Sequence, residues 1–271
     1  MTAGAVLVCS ASLWAAPVVL SASGATPAGI QGTVDAFRAS LGGLNPNVVG
    51  SFASGRREIN WDGVPDAFSA PNNLPANFFN SNSPRGVVFS TPGTGFQVSA
   101  NAASGVPVEF GNIDAGYPNL FATFSPQKLF TALGSNMVDI NFFVPGSATS
   151  ALTNGFGAVF TDVDLANTTA IQFFDASLQS LGTFFAPNFA GDATLSFLGV
   201  RFAEGRVVSR VRITSGNQTL AAGHTSGDLV VMDDFIYGEP SAFAVPEPTT
   251  APLLALALLA ALGIRSRRLL A

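Results

Sequence analysis

The sequence predicts an all-β protein: an antiparallel, jelly-roll-like β-sandwich set between an N-terminal signal helix and a short C-terminal membrane-anchor helix. Three observations carry that expectation. Short runs rich in β-branched and aromatic residues recur from residue 83 to residue 240, separated by turn residues such as Pro145-Gly146, Glu204-Gly205 and Ser215-Gly216-Asn217. Gly 28 and Pro 17 punctuate the chain, and Phe 24 far outnumbers Trp 2 and Tyr 2, which suits short strands around a Phe-rich core. Only one stretch in the body shows a helical period.

Taken in order, Ala5 to Leu20 is apolar or small, broken by Ser10, Ser12 and Pro17. Ser21-Ala22-Ser23-Gly24-Ala25 then offers small residues for cleavage, so residues 1–25 are expected to be a signal peptide. No Lys or Arg precedes the run, which leaves the true start codon open. Cys9 is the only cysteine, and the bulky Val8 before it argues against a lipoprotein. The mature chain then has no disulfide and depends on its core, or on bound ions, for stability.

Residues 26–82 are expected to be a short helix and loop lead-in packing on the sandwich. Val34, Phe37 and Leu41 fall at helical spacing within Thr33 to Leu41, with Gly42-Gly43 as a stop, and Asn45 to Asn82 reads mostly as loop. The sandwich is assigned to residues 83–240. Its expected strands are Val87–Phe89, Phe96–Ser99, Val106–Phe110, Leu120–Phe124, Met137–Val144 and Gly157–Val163, then Ala170–Phe174, Leu178–Phe185, Thr194–Phe202, Val207–Thr214 and Leu229–Tyr237. Hairpins are expected over Ala170–Phe185 and Thr194–Thr214, where connections are shortest.

The chain closes with a Pro-rich linker over 241–250, an apolar segment over 251–264 and a basic tail over 265–271. Pro246 and Pro248 fix φ and lack an N–H, so Val245-Pro246-Glu247-Pro248 reads as an extended, protease-accessible strut. As a helix, Ala251 to Ile264 would span about 21 Å, short of the ~30 Å hydrocarbon core, so it is a marginal anchor. Arg265, Arg267 and Arg268 favour retention on the cytoplasmic side. This order of features resembles the C-terminal sorting signal of PEP-CTERM proteins, which exosortases process in bacteria that make exopolysaccharide. The resemblance implies an exosortase partner that cleaves near Pro246-Glu247-Pro248. It also implies transient residence in the inner membrane and delivery to the outer surface or extracellular matrix.

Charge excludes one class of partner. All 17 acidic residues lie between Asp35 and Glu247, whereas three of the 12 basic ones sit in the tail, so the mature part carries about −8. An acidic surface without a basic stripe repels the phosphate backbone, and no nucleic-acid binding is expected.

Two regions carry candidate chemistry. Phe156, Phe160, Asp162 and Asp164 share one face by the period-two rule, and paired carboxylates where a strand enters a loop suit a hard cation such as calcium. In Leu229 to Tyr237 the same rule sets Asp233 and Asp234 on opposite faces, so one of them must point to the core side and needs an arginine, backbone donors or a metal. With Asp228, these form the candidate calcium set Asp162, Asp164, Asp228, Asp233 and Asp234, the alternative being turn-capping and solvated aspartates. The stretch from Gly155 to Pro240 resembles β-sandwich domains of other PEP-CTERM proteins and lectin-like jelly rolls, in which paired aspartates on a terminal strand sometimes accompany a structural calcium.

The second region holds Asn60, Trp61, Asp62 and Asp66. A tryptophan beside amide and carboxylate groups can stack on a sugar and hydrogen-bond its hydroxyls, but a lone tryptophan more commonly pins its loop to the core. His224 is the only histidine, which excludes a histidine-based zinc site, and no Gly-x-Ser-x-Gly elbow accompanies it. No enzymatic activity is expected, although a pair of facing glycosidase carboxylates is not a sequence-spacing pattern. Two functions follow: a non-catalytic surface or matrix protein associated with exopolysaccharide, or a carbohydrate-binding, calcium-assisted module or glycosidase relative.

Overall fold

The computed structural model describes residues 16–203, 205–223 and 227–243. Its elements run β1 (Val18–Gly24), α1 (Pro27–Leu41), β2 (Arg56–Ile59), α2 (Phe78–Ser81), β3 (Val87–Ser90), β4 (Gly95–Val98), α3 (Tyr117–Leu120), β5 (Phe130–Leu133) and β6 (Met137–Phe142). They continue β7 (Ala151–Leu152), β8 (Gly155–Thr161), β9 (Ala170–Phe174), β10 (Ser180–Phe185), β11 (Leu195–Arg201), β12 (Arg210–Thr214), β13 (Val231–Gly238) and β14 (Ser241–Ala242). One sheet has the order β1-β11-β8-β13-β5-β4, with β2 also on β13, and faces a second of order β10-β9-β12-β6-β3. The strand pairs in both sheets are antiparallel.

Burial explains which runs became strands. In β6, Val138, Ile140 and Phe142 alternate with half-buried Met137, Asp139 and Asn141, the signature of a sheet with one face on the core. β8 and β13 are buried at every position, because their outer face is covered as well. Over β8, β11 and Ile236 the cover is α1, whose Ile30, Val34, Phe37 and Leu41 form one buried stripe against Val159, Leu195, Phe197 and Ile236, whereas Val231 is covered by Phe110, Tyr117, Phe121 and Leu129. Phe37 reaches the sheet because β8 and β11 present Gly157 and Gly199 there. A Cβ at Gly199 would stand 2.7 Å from the Phe37 ring and one at Gly157 2.8 Å. Pro27 opens the helix, and Gly42, at φ 101°, closes it. The helix thus begins six residues ahead of the Thr33 expected from its apolar spacing.

Several expectations are corrected. Val106 to Phe110 is not a strand: Pro107 interrupts it, and Glu109 and Phe110 both take positive φ, 49° and 64°. Leu120 to Phe124 is not one either. Pro118 sits in the first turn of α3, and the backbone donors beyond it go to side chains, Ala122 N–H to Thr161 and Phe124 N–H to Asp233. The hairpin at Ala170–Phe185 forms as β9–β10, but Thr194–Thr214 forms none. β11 belongs to one sheet and β12 to the other, and the connection between them is held by Val207 and Val208 N–H on the Thr153 carbonyl.

At the N-terminus, the expected cleavage point meets a strand. Residues 18–24, expected within the cleaved segment, form β1 and pair along their full length with β11, Val18 opposite Arg201 through Gly24 opposite Leu195. Leu20 and Ala22 pack under α1. The apolar run that reads as a signal peptide therefore ends in residues that suit an edge strand, and cleavage near residue 25 would strip it from the sheet. Mass spectrometry of the exported protein is expected to find Val18–Gly24 retained. A mature N-terminus at Thr26 would contradict this placement of the boundary.

Candidate functional site

The five aspartates of the expected calcium set fall into two separate groups. Asp233 and Asp234 lie at a bulge in β13, where the register against β8 shifts between Met232 and Phe235. The bulge resets the alternation: Val230 and Met232 before it, and Phe235 and Tyr237 after it, all enter the core between the sheets. Neither aspartate then faces that core, contrary to the strict period-two expectation. Both point outward, beneath α1 and the loop after α3, where the Ser125 hydroxyl lies 3.2 Å from Asp233 Oδ1 and 2.6 Å from Asp234 Oδ1.

Protein groups satisfy this pair. Asp233 Oδ2 accepts from the backbone N–H of Phe124 at 2.6 Å and Ser125 at 3.2 Å, and Asp234 Oδ2 meets the Arg38 guanidinium at 2.9 Å. Arg38 also bridges to Glu58, so the group ties α1 to β13 and β2. Burial, and then the adjacent Asp234, hold Asp233 well above the usual carboxylate range; burial raises Asp234 too, against the pull of Ser125 and Arg38. Sequence reading missed Arg38 and Ser125 as partners. A basic residue in the last turn of an amphipathic helix was the one available signal.

The other group gathers where β8 leaves its sheet. Asp162 follows the last residue of β8 with φ 68°, a left-handed conformation rare outside glycine. It is 2% exposed, yet its Oδ1 has no hydrogen-bond partner. Burial, and then the charges of Asp164, Asp192 and Asp228, push its carboxyl up to about 8. Asp228, wholly buried, accepts from the Asp164 N–H at 2.8 Å and from the Thr168 hydroxyl, so it fastens the 162–168 turn to the approach of β13. Asp164 Oδ1 accepts from the Gly191 N–H at 2.8 Å. Asp192 lies on the exposed loop before β11 and was not among the expected residues. Among the described residues, no three His, Cys, Asp or Glu side chains are already arranged to hold a metal ion.

The residues proposed for sugar contact do not form one surface. Trp61 is 1% exposed, stacked on Phe130 at 4.1 Å and edge-on to Phe79 and Phe235, with its indole N–H on the Asp233 carbonyl at 2.8 Å. Its ring anchors the loop to the core. Asn60 and Trp61 border a cavity of about 350 Å³ that is also lined by Phe68, Phe78, Asn82 and Arg85. Asp62 borders a different cavity of about 270 Å³ and accepts from the N–H groups of Gln127 at 2.6 Å and Lys128 at 3.0 Å. Asp66 holds Asn101 at 2.7 Å and lies 3.5 Å from the Lys128 ammonium. His224 and the tail residues Val245, Pro246, Glu247, Pro248, Arg265, Arg267 and Arg268 lie outside the described residues. Among those described, no helix is long and apolar enough to cross a membrane.

These observations define a two-sheet antiparallel β-sandwich with one helix on its outer face, followed by a tail of distinct composition. Residues 244–268 match the family model described as the PEP-CTERM protein-sorting motif, the recognition signal for exosortase processing, which marks export with transient anchoring in the membrane. No curated protein matches the chain in sequence. Among solved structures, the chain is similar to a glycoside hydrolase family 43 arabinoxylan arabinofuranohydrolase from Bacillus subtilis, determined with cellotetraose. That likeness has 15% identity and a TM-score of 0.28 over 57% of this chain and 27% of the other. The chain spans about a quarter of that protein, and overlap at this level carries no weight for fold or activity.

Proposed function

We propose that this chain is an exported, non-catalytic surface or extracellular-matrix protein, sorted by an exosortase and associated outside the cell with exopolysaccharide. The sorting motif at 244–268 carries the reading. The body supports it as a self-sufficient carrier of jelly-roll type: an acidic two-sheet sandwich whose buried pair, Arg57–Glu239, is completely partnered. The paired aspartates of β13 are engaged in holding α1 and the 121–126 loop, which supports a structural use of these carboxylates. Fusing residues 244–271 to an unrelated exported reporter tests the sorting half of the reading. Processing and release of the fusion in a host that carries the exosortase support it, and a fusion left full-length in the membrane opposes it.

A second reading, a carbohydrate-binding module, rests on the 350 Å³ cavity beside Asn60, Asn82 and Arg85, where polar groups border the aromatic rings of Phe68 and Phe78. A glycan array on the purified protein separates the two. Specific binding abolished by Arg85→Ala establishes the module, and uniform silence across the array removes it.

A further inference from the structure

We propose that the corner formed by Asp162, Asp164, Asp192 and Asp228 binds one calcium ion, which locks the end of β8 to the loop preceding β11 and the approach to β13. The argument starts from Asp162. A buried carboxylate oxygen without a hydrogen-bond donor is costly, and such a group in a folded protein calls for a partner. The nearby charges that act on Asp162 are Asp164, Asp192 and Asp228, all negative, so the surrounding chain supplies repulsion rather than compensation. These aspartates come from three chain segments that hydrogen bonds hold side by side, Asp164 N–H on Asp228 and Gly191 N–H on Asp164, and hard oxygen donors of this kind suit calcium, which accepts six to eight oxygens in irregular geometry, rather than magnesium, which demands an octahedron.

Hydrogen bonds tie the three segments together, and the ion would draw their carboxylates in. Asp228 pins the 162–168 turn through the Asp164 N–H and Thr168, and Asp164 holds the Gly191 N–H. Asp192, exposed on the rim, would complete the set with water. Asp233 and Asp234 are not part of it, since Arg38 and the 124–125 backbone already satisfy them. Extracellular modules commonly bind calcium at 10⁻⁴ to 10⁻³ M, so on the export reading the corner would load only after the protein leaves the cytoplasm.

The test is a set of thermal scans on the full chain in mild detergent, with EDTA, with calcium and with magnesium. Calcium at a hundredfold excess over Kd is expected to raise Tm by about 5–10 °C, with magnesium giving much less. Asp162→Asn is expected to abolish the rise while melting no lower than the parent in EDTA, because it removes a carboxylate that only the ion satisfies. Asp192→Asn, an exposed change that the fold tolerates, is expected to shrink the rise. Asp234→Asn is expected to lower Tm in every condition and to keep the calcium increment. Superimposable parent curves in calcium and EDTA would overturn the proposal, as would an increment that survives Asp162→Asn.

Discussion

Replacing Arg57 with methionine is expected to remove about 3–5 kcal/mol of stability, the usual cost of leaving one member of a buried ion pair uncompensated. Arg57 is wholly buried and grips Glu239 with two parallel bonds, Nε to Oε2 at 2.7 Å and Nη2 to Oε1 at 2.8 Å. Its remaining donors reach the carbonyls of Pro84 at 2.9 Å and Gly50 at 3.1 Å. Glu239 also receives Asn45 Nδ2 at 2.8 Å. The pair therefore clamps the loop between α1 and β2 onto the end of β13. Without the guanidinium, the buried Glu239 carboxylate loses its charge partner, and the loop loses its anchor. Urea melts of Arg57→Met and of Arg57→Met/Glu239→Leu check this. The double variant is expected to recover part of the loss, because it buries no charge. A double variant weaker than the single would show that the pair acts mainly by holding the loop.

Trp61→Ala is expected to cost a further 3–5 kcal/mol in its own right, the range for deleting a large buried aromatic side chain. The indole sits flat on Phe130, with ring planes 3° apart, and edge-on to Phe79 and Phe235, so its loss opens a void among three rings. It also removes the donor to the Asp233 carbonyl at the β13 bulge. Both the cavity and the freed carbonyl act against the fold. Trp61→Phe, which keeps most of the volume and loses the N–H, should recover much of the deficit. Chemical denaturation reads both, and a loss below about 1 kcal/mol for Trp61→Ala would mean that the loop collapses to fill the void.

How far the fold was legible follows from periodicity. The runs at 137–142, 170–174 and 210–214 became strands because one face meets the core and the other does not, which is the pattern a period-two reading detects. β2 and β5 were not among the expected strands; β2 sits in a polar neighbourhood whose charges, Arg57 and Glu58, are paired only in three dimensions. β1 was hidden by an apolar, small-residue stretch that suits a targeting segment equally well. The bulge at Asp233–Asp234 is invisible to alternation by its nature, since one extra residue reverses every inference beyond it. In the site, the acidic residues themselves were legible. Their partition into one group neutralised by Arg38 and another left uncompensated was not, because Arg38 is 196 residues from Asp234 along the chain.

The most direct test of the central claim is processing of the full chain in an exosortase-bearing host. Intact mass and cell fractionation would be compared between the parent and a Glu247→Ala/Pro248→Ala variant. Exosortase sorting predicts that the parent loses the residues beyond the Val245–Pro248 motif and leaves the inner membrane, while the variant accumulates there uncleaved. A variant that is trimmed and released like the parent would contradict the claim.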